Sequence, residues 1–415
     1  MRVAMLSYHT CPLATLGGKN TGGMNVYVQM LAHHLGRMGV HVDVFTRSQD
    51  EHVPHILHDL GYGNRVVHVP AGPEIPLPKQ ELAEYIPTFV DGILDFAAKK
   101  GIIYDLIHSH YWMSGMAALE LKHIWDIPMI HMFHTLGLMK QRVAQNADEA
   151  EGVYRIQGER EVLMMSDRIV AATQAELAQL QWLYQANPEK ITIIPPGVDL
   201  GHFYPIPPDE AKAFVGIPQE DRLLLFVGRI EPLKGIDTLI KSIAIIRQKG
   251  LLSEHCCMCL SIIGGDPNAE GGNMTEEMAR LKSLCQTHGL DDFVTFLGQR
   301  GQDTLPYYYS AAEAVIMPSH YESFGMVALE AMACGTPVIA SEVGGLAFLV
   351  KDGVTGFHFP AQDPEALSQR LLTIIGDREL RERMSNQAAA VAKDYAWEKI
   401  TARVADLYTQ VLGQE

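Results

Sequence analysis

Short apolar, β-branched runs alternate with longer stretches of helical period along this chain, and that alternation predicts a doubly wound parallel sheet built twice. In the first half, strands are expected at Val3 to Ser7, Val40 to Phe45, Val66 to Val69, Leu106 to Ser109, Pro128 to Phe133 and Arg168 to Ala172. A helix is expected from about Met24 to Met38, stopped by Gly39, and another over Ala147 to Ser166 with Arg155, Glu159 and Arg160 on it. Ile191 to Asp199 closes this half, and the segment holding Pro205, Pro207, Pro208 and Pro218 reads as a linker. The pattern restarts with strands at Leu223 to Val227, Leu260 to Ile263, Val294 to Phe296, Ala314 to Met317 and Pro337 to Ala340. Trp397 to Leu412 is an amphipathic helix with no strand after it. The fold class is therefore α/β, with Rossmann-like domains at 1–198 and 199–394 facing each other, and ligands belong at the C-terminal ends of the strands.

One stretch carries most of the chemistry: Ser319-His320-Tyr321-Glu322-Ser323-Phe324-Gly325-Met326-Val327-Ala328-Leu329-Glu330-Ala331-Met332-Ala333-Cys334-Gly335. It follows the strand ending at Met317 and reads as a loop and a helix of about three turns, with Ser323 as N-cap and Gly335 as the C′ residue. Such a helix N-terminus is a seat for phosphate. Glu322 stands at its mouth, and Glu330, eight residues on, returns to within ~80° of the same face. One acid by a transferred group and one by a sugar's hydroxyls suits a sugar nucleotide, although an exposed and a capping glutamate would give the same spacing.

Length and charge narrow the class. At 415 residues the chain is too long for one core, and with 47% hydrophobic and 20% charged residues it is an ordinary globular mix. Its 33 Lys and Arg against 49 Asp and Glu leave a net charge of −16, which argues against nucleic-acid or anionic-membrane binding. An anionic ligand then needs a local cationic pocket. No apolar run approaches the ~20 residues of a membrane span, and the N-terminus enters a strand at once, so a cytoplasmic protein is expected. Of the six cysteines, Cys256, Cys257 and Cys259 crowd one strand beside His255. Neighbouring strand residues point to opposite faces, so small buried side chains are expected there and no metal site.

The strand-end loops supply the cations. Neither GxGxxG nor GxxxxGK[ST] occurs, which disfavours a dinucleotide domain and a P-loop. Thr21-Gly22-Gly23-Met24-Asn25 opens a helix, and its glycines let backbone N–H groups approach a phosphate. Gly228-Arg229-Ile230-Glu231-Pro232-Leu233-Lys234-Gly235 places two cations five apart beyond a strand end. Arg229 and Lys234 can together neutralise a departing diphosphate. No Asp-x-Asp occurs in the chain, so these cations would stand where many glycosyltransferases use a divalent metal. Ile263-Gly264-Gly265-Asp266 offers a further backbone approach. Among eighteen histidines, His134 is distinguished by lying at a strand end, where a neutral imidazole could meet a sugar hydroxyl.

Together Gly22-Gly23-Met24-Asn25, Gly228-Arg229-x4-Lys234-Gly235 and Glu322-x7-Glu330 resemble the family 4 retaining glycosyltransferases of the GT-B fold, over nearly the whole chain. The resemblance implies that Arg229 and Lys234 bind the donor diphosphate and Glu330 the ribose hydroxyls. Gly23, Gly264, Glu322, Ser323, Phe324, Gly325 and Met326 would lie along the donor, and His134 near the C6 hydroxyl of its sugar. A tail helix, about 395–415, would pack back on the first domain. Tyr104 to Trp112, His131-x-x-His134-Thr135-Leu136 and Ala71-Gly72-Pro73 are most similar to the D-inositol 3-phosphate glycosyltransferases within that family. Their acceptor-phosphate residues map onto Lys79, Tyr111, Thr135 and Arg155, with Asn25 beside the acceptor. Sucrose-phosphate synthases keep much the same clamp, and the region Lys140 to Gly152 departs from both patterns.

The implied function is retaining transfer of a hexosyl group from a UDP-sugar to a phosphorylated polyol, UDP-N-acetylglucosamine to D-inositol 3-phosphate first. Sucrose-phosphate synthesis from UDP-glucose and fructose 6-phosphate is the alternative, and a non-catalytic sugar-nucleotide-binding protein the alternative from another class. His134, Arg229, Lys234 and Glu322 are the expected catalytic groups. No cofactor and no divalent metal are expected, only small-molecule donor and acceptor as partners, and a homodimer stays compatible with the sequence.

Overall fold

The computed structural model describes residues 1–14, 22–144, 152–250, 258–267 and 275–413. They form two compact units, one of Met1 to Gly197 rejoined by the tail from Trp397, the other Val198 to Ala396.

The first unit holds strands β1 (Arg2–Leu6), β2 (His41–Arg47), β3 (Ile56–Leu57), β4 (Arg65–Val69), β5 (Leu106–His110), β6 (Met129–Met132), β7 (Arg168–Ala171) and β8 (Ile191–Ile193). They pair in the order β3-β4-β2-β1-β5-β6-β7-β8. Every pairing is parallel except that of the two-residue β3 on the edge. Strands buried on both faces need no polar alternation, which is why β1 reads as a continuous apolar run after Arg2, while β5 buries His108, Ser109 and His110 as well. Helices cover the sheet, and Phe45, Phe89, Ile93, Ile107, Ala117 and Phe133 are among the buried residues of its core.

The second unit holds β9 (Arg222–Val227), β10 (Met258–Ile263), β11 (Val294–Gly298), β12 (Ala312–Met317), β13 (Val338–Ser341) and β14 (Gly356–Phe359), in the order β11-β10-β9-β12-β13-β14. All pairs are parallel. This is the 3-2-1-4-5-6 order of a Rossmann sheet, whose winding reverses between its first and fourth strands, here β9 and β12. In the first unit the reversal falls between β1 and β5. At these two places the loops leave in opposite directions and open a crevice.

The helix Trp397–Leu412 belongs to the first unit. It packs on the helix Gly23–Arg37, with the Trp397 ring 5.5 Å from that of Tyr27. Tyr408 further anchors it, its hydroxyl 2.6 Å from His108 Nδ1.

Two expectations need correction. The proline-rich segment is no linker. Pro208–Val215 is a helix of the second unit, with Pro208 at the first helical position where its missing N–H costs nothing. That helix packs on Leu305–Ala311 and buries Ala211 beside Leu223 and Ala311. The edge strands β3 and β14 are absent from the expectation; two residues carry too little pattern to announce β3, and β14 alternates Gly356 and His358 with its two phenylalanines. His255, Cys256, Cys257, Thr21 and the centre of Lys140 to Gly152 lie outside the described residues.

Candidate functional site

In the first unit the candidate acceptor residues gather at the β1/β5 reversal. Tyr111 follows β5 with φ 71 and ψ 149, a conformation nearly reserved for glycine, and its ring is 5% exposed. Two cations lie over that ring, Lys79 Nζ at 5.6 Å from the centroid and Arg155 Cζ at 5.0 Å. Arg155 in turn donates to the carbonyl oxygen of Thr135 at 2.9 Å and to its Oγ1 at 3.0 Å. Lys79, Tyr111, Thr135 and Arg155 thus form one connected group.

Arg155 sits in a fixed socket. It is 1% exposed and donates from Nε to Glu159 Oε1 at 2.8 Å, one helical turn away. The Glu159 carboxylate is also met by the Gly137 N–H at 3.0 Å and by the Tyr184 hydroxyl. A buried ion pair holds only when its remaining lone pairs are satisfied, and here they are. The guanidinium is therefore pre-aimed, and the fork that is not on Glu159 reaches the strand-end loop.

His134 ends the same strand-end region beyond β6. It has φ 61, and Thr135 N–H donates to Phe133 carbonyl at 2.7 Å, closing a γ-turn around a positive-φ residue, the rare strained form. Burial pushes its imidazole down to about 3, so it is neutral at physiological pH. Its Nε2 lies 3.0 Å from His110 Nδ1.

Asn25 is buried and committed within the chain. Its amide donates to Thr10 Oγ1 at 2.8 Å and Cys11 carbonyl at 2.7 Å, while its oxygen accepts from Gly22 N–H at 2.9 Å. It ties the loop after β1 to the start of the helix Gly23–Arg37, which Gly23 opens as an exposed residue.

In the second unit the cations lie beyond β9, at the other reversal. Lys234 Nζ meets Glu322 Oε2, from the loop after β12, at 2.6 Å, and Arg229 meets Glu231 at 2.9 Å. The first pair is mostly shielded, with side chains 20% and 16% exposed, while Arg229 is 42% exposed. Gly264 closes the neighbouring strand end with φ 143. A Cβ there would sit 1.9 Å from the Gly228 carbonyl oxygen, so no other residue fits.

The glutamate stretch departs from expectation at its start. The helix is Met326–Ala333, a little over two turns, and Gly325 at φ 103 is its N-cap, so Ser323 does not cap it. Ser323 and Phe324 instead belong to a loop pressed against Gly344 and Gly345, whose N–H donates to Glu322 carbonyl at 2.9 Å. Glu322 is then not on a helical face at all, and the spacing to Glu330 has no angular meaning. Gly335 does close the helix, at φ 75, with its N–H on Met332 carbonyl and that of Thr336 on Ala331 carbonyl. Glu330 is 5% exposed and accepts from the Tyr309 hydroxyl at 2.8 Å. Burial raises its carboxyl to about 7, against the opposing Tyr309 hydrogen bond. Phe324 is buried, its ring 6.0 Å from that of Tyr395.

Two family descriptions cover most of the chain: Glycosyltransferase Family 4 matches residues 21–202 and Glycosyl transferases group 1 matches residues 208–391. The D-inositol 3-phosphate glycosyltransferase of Actinosynnema mirum is 40% identical over 412 residues, 99% of this chain and 97% of that protein. The chain belongs to glycosyltransferase family 4. The solved sucrose-phosphate synthase of Thermosynechococcus elongatus is similar to this glycosyltransferase at a TM-score of 0.90 and 34% identity, covering 100% of both chains. An Anabaena protein solved with UDP and glucose shares the fold at a TM-score of 0.76 and 20% identity. The fold of this glycosyltransferase is accordingly GT-B.

Sequence reasoning missed His9, His110 and Tyr309. His9 follows β1, is 7% exposed, and lays its ring 4.3 Å from that of Tyr111. Its Nδ1 is buried with no hydrogen-bond partner among the described residues. Burial, then Lys79 and Arg155, drive its imidazole well below the usual range. Position at a strand end, the signal that singled out His134, would have found His9 and His110 as well. Nothing in the sequence links Tyr309 to Glu330.

Proposed function

We propose that this glycosyltransferase moves a hexosyl group, with retention, from a UDP-sugar to a phosphorylated polyol, UDP-N-acetylglucosamine to D-inositol 3-phosphate first. The observation that carries the acceptor class is the group formed by Lys79, Tyr111, Arg155 and Thr135 at the β1/β5 reversal. Two cations, the Tyr111 ring and the Thr135 hydroxyl converge there in a protein of net charge −16, which suits one tetrahedral phosphate better than a neutral sugar. The relatives named for inositol 3-phosphate support the reading. The structural likeness to a sucrose-phosphate synthase favours a second acceptor, fructose 6-phosphate with UDP-glucose, which asks the same of the clamp.

On the donor side, Lys234 and Arg229 take the charge of the leaving diphosphate, and Glu330 the ribose. The route is metal-independent, because these cations do the neutralising that a divalent ion does elsewhere. The C–O bond from the anomeric carbon to UDP breaks as the acceptor hydroxyl forms the new bond on the same face, its proton passing to the departing phosphate oxygen. No carboxylate is placed as a covalent nucleophile in this reading. Glu322, ion-paired to Lys234, holds that lysine until the diphosphate displaces it.

The test is UDP release by the purified protein with EDTA present. UDP-glucose and UDP-N-acetylglucosamine are crossed with D-inositol 3-phosphate, fructose 6-phosphate and the unphosphorylated polyols. Release only with a phosphorylated acceptor is expected. Release with the unphosphorylated polyols alone would overturn the clamp, and dependence on added magnesium would overturn the metal-free route.

A further inference from the structure

His134 does not stand alone. His110, the last residue of β5, is fully buried and places its Nδ1 3.0 Å from His134 Nε2. Two neutral imidazoles in such contact share one hydrogen: either His134 donates from Nε2 or His110 donates from Nδ1. The far nitrogen of His110 decides between them. His110 Nε2 is buried and makes no hydrogen bond among the described residues. If His134 donated, the His110 proton would sit on that nitrogen, and a buried N–H would be orphaned. If His110 donates, the nitrogen left over is a bare acceptor, and orphaned buried N–H groups are rarer than under-satisfied acceptors.

We propose that His110 is a positioning residue that donates to His134 Nε2 and thereby fixes His134 as the Nδ1–H tautomer, a hydrogen-bond donor toward a hydroxyl oxygen of the sugar. The orientation of the pair is built in. Tyr27 packs its ring against both, with centroids 5.6 Å from His110 and 5.2 Å from His134. The His108 ring lies 4.3 Å from that of His110, and His108 is itself held by Tyr408 of the tail helix at 2.6 Å. Burial and then the neighbouring imidazoles keep His110 neutral, so its tautomer, not its charge, is what the site fixes. Only the direction of the donor toward a sugar rests on the function proposed above; the tautomer does not.

The experiment is in two arms on the full chain. In protein carrying 15N-histidine, two-bond 1H–15N spectra distinguish the neutral tautomers, and the His134 signal is assigned by its loss in His134→Ala. His134 as Nδ1–H is expected in the wild type; an Nε2–H pattern would overturn the proposal. In the second arm, His110→Asn keeps an amide donor near the position of Nδ1, whereas His110→Phe keeps only the ring. His110→Phe should lower kcat roughly 10- to 100-fold with the acceptor KM unchanged. His110→Asn should restore most of it, and His110→Phe should cost nothing more once His134 is already Ala. Equal losses in Asn and Phe, or a Phe effect that persists beside His134→Ala, would assign His110 to packing and sink the idea. Because the spectra need no substrate, a protein inactive on every acceptor would count against the proposed function and leave the tautomer to be judged on its own.

Discussion

Lys234 and Glu322 are 88 residues apart in sequence and 2.6 Å apart in the structure. They come from the loops after β9 and β12, the two strands between which the second sheet reverses, so the ion pair stands at the mouth of that crevice. With Lys234 on the donor diphosphate, as proposed, an incoming diphosphate would compete with Glu322 for it. Lys234→Ala should weaken UDP binding by an order of magnitude or so, since it removes a cation and leaves a carboxylate facing the phosphates. Glu322→Gln should do the opposite or nothing, because the lysine is released. Isothermal titration with UDP checks both, and a Glu322→Gln protein that binds UDP as poorly as Lys234→Ala would contradict the competition.

The two cations over Tyr111 separate by experiment because their surroundings differ. Lys79 is half-buried on a short surface helix, so Lys79→Ala should raise the KM for a phosphorylated acceptor about tenfold while leaving stability and the donor KM near wild type. Arg155→Ala strands Glu159, fully buried, without its counter-charge, and should cost about 3 to 5 kcal/mol of stability. Urea unfolding beside steady-state kinetics reads both. Equal destabilisation by the two variants would mean that Lys79 is also a core partner.

The double α/β winding, most strand positions and the tail helix were legible because parallel strands buried on both faces are continuous apolar runs, and the helix Trp397–Leu412 keeps a clean amphipathic period. Lys79, Tyr111, Thr135 and Arg155 could be named as a set only through resemblance; no local pattern joins residues that meet from two separate loops and two helices. The start of the helix after Glu322 was misplaced for a local reason. Ser323 has the right chemistry for a cap, but the chain bends there against Gly345, 22 residues on, and the helix begins only after Gly325. Asn25 and Glu330 were chosen for their position in motifs, and both spend hydrogen bonds on the protein itself. Tertiary commitments of that kind leave no trace in spacing.

Glu176 predicts a pH dependence of stability. It is 2% exposed, accepts from Ala172 N–H at 2.7 Å, and burial raises its carboxyl from 4.5 to about 7. The folded state therefore holds this proton more tightly than the unfolded state. Its contribution is most favourable below the unfolded value, and it is lost as pH rises from about 4.5 through about 7. Glu176→Gln keeps an acceptor for Ala172 and removes the ionisation. The variant should gain on wild type as the pH is raised from 5 to 8, by up to about 3 kcal/mol. Urea midpoints at both values check it, and a constant difference would show that Glu176 does not titrate in this window.

The loop that carries Glu322 depends on a backbone-to-backbone contact that a single methyl group would break. Gly345 donates to Glu322 carbonyl at 2.9 Å, and a Cβ at 345 would lie 2.4 Å from Phe324 Cα and 2.4 Å from Ser323 carbonyl oxygen. Both neighbours are main chain, so no side chain can rotate to relieve the clash. Gly345→Ala must push the segment Glu322 to Phe324 away from its seat, and with it the Ser323 and Phe324 backbone proposed to lie along the donor. The sheet lies beneath and is untouched, so the expected result is a protein that stays folded but binds UDP at least several-fold more weakly. Lys351→Ala, an exposed change beyond the next short helix, serves as the control. UDP titration with far-ultraviolet circular dichroism reads the two outcomes separately. Unaltered UDP affinity in Gly345→Ala would mean that the position of this loop does not govern the nucleotide site.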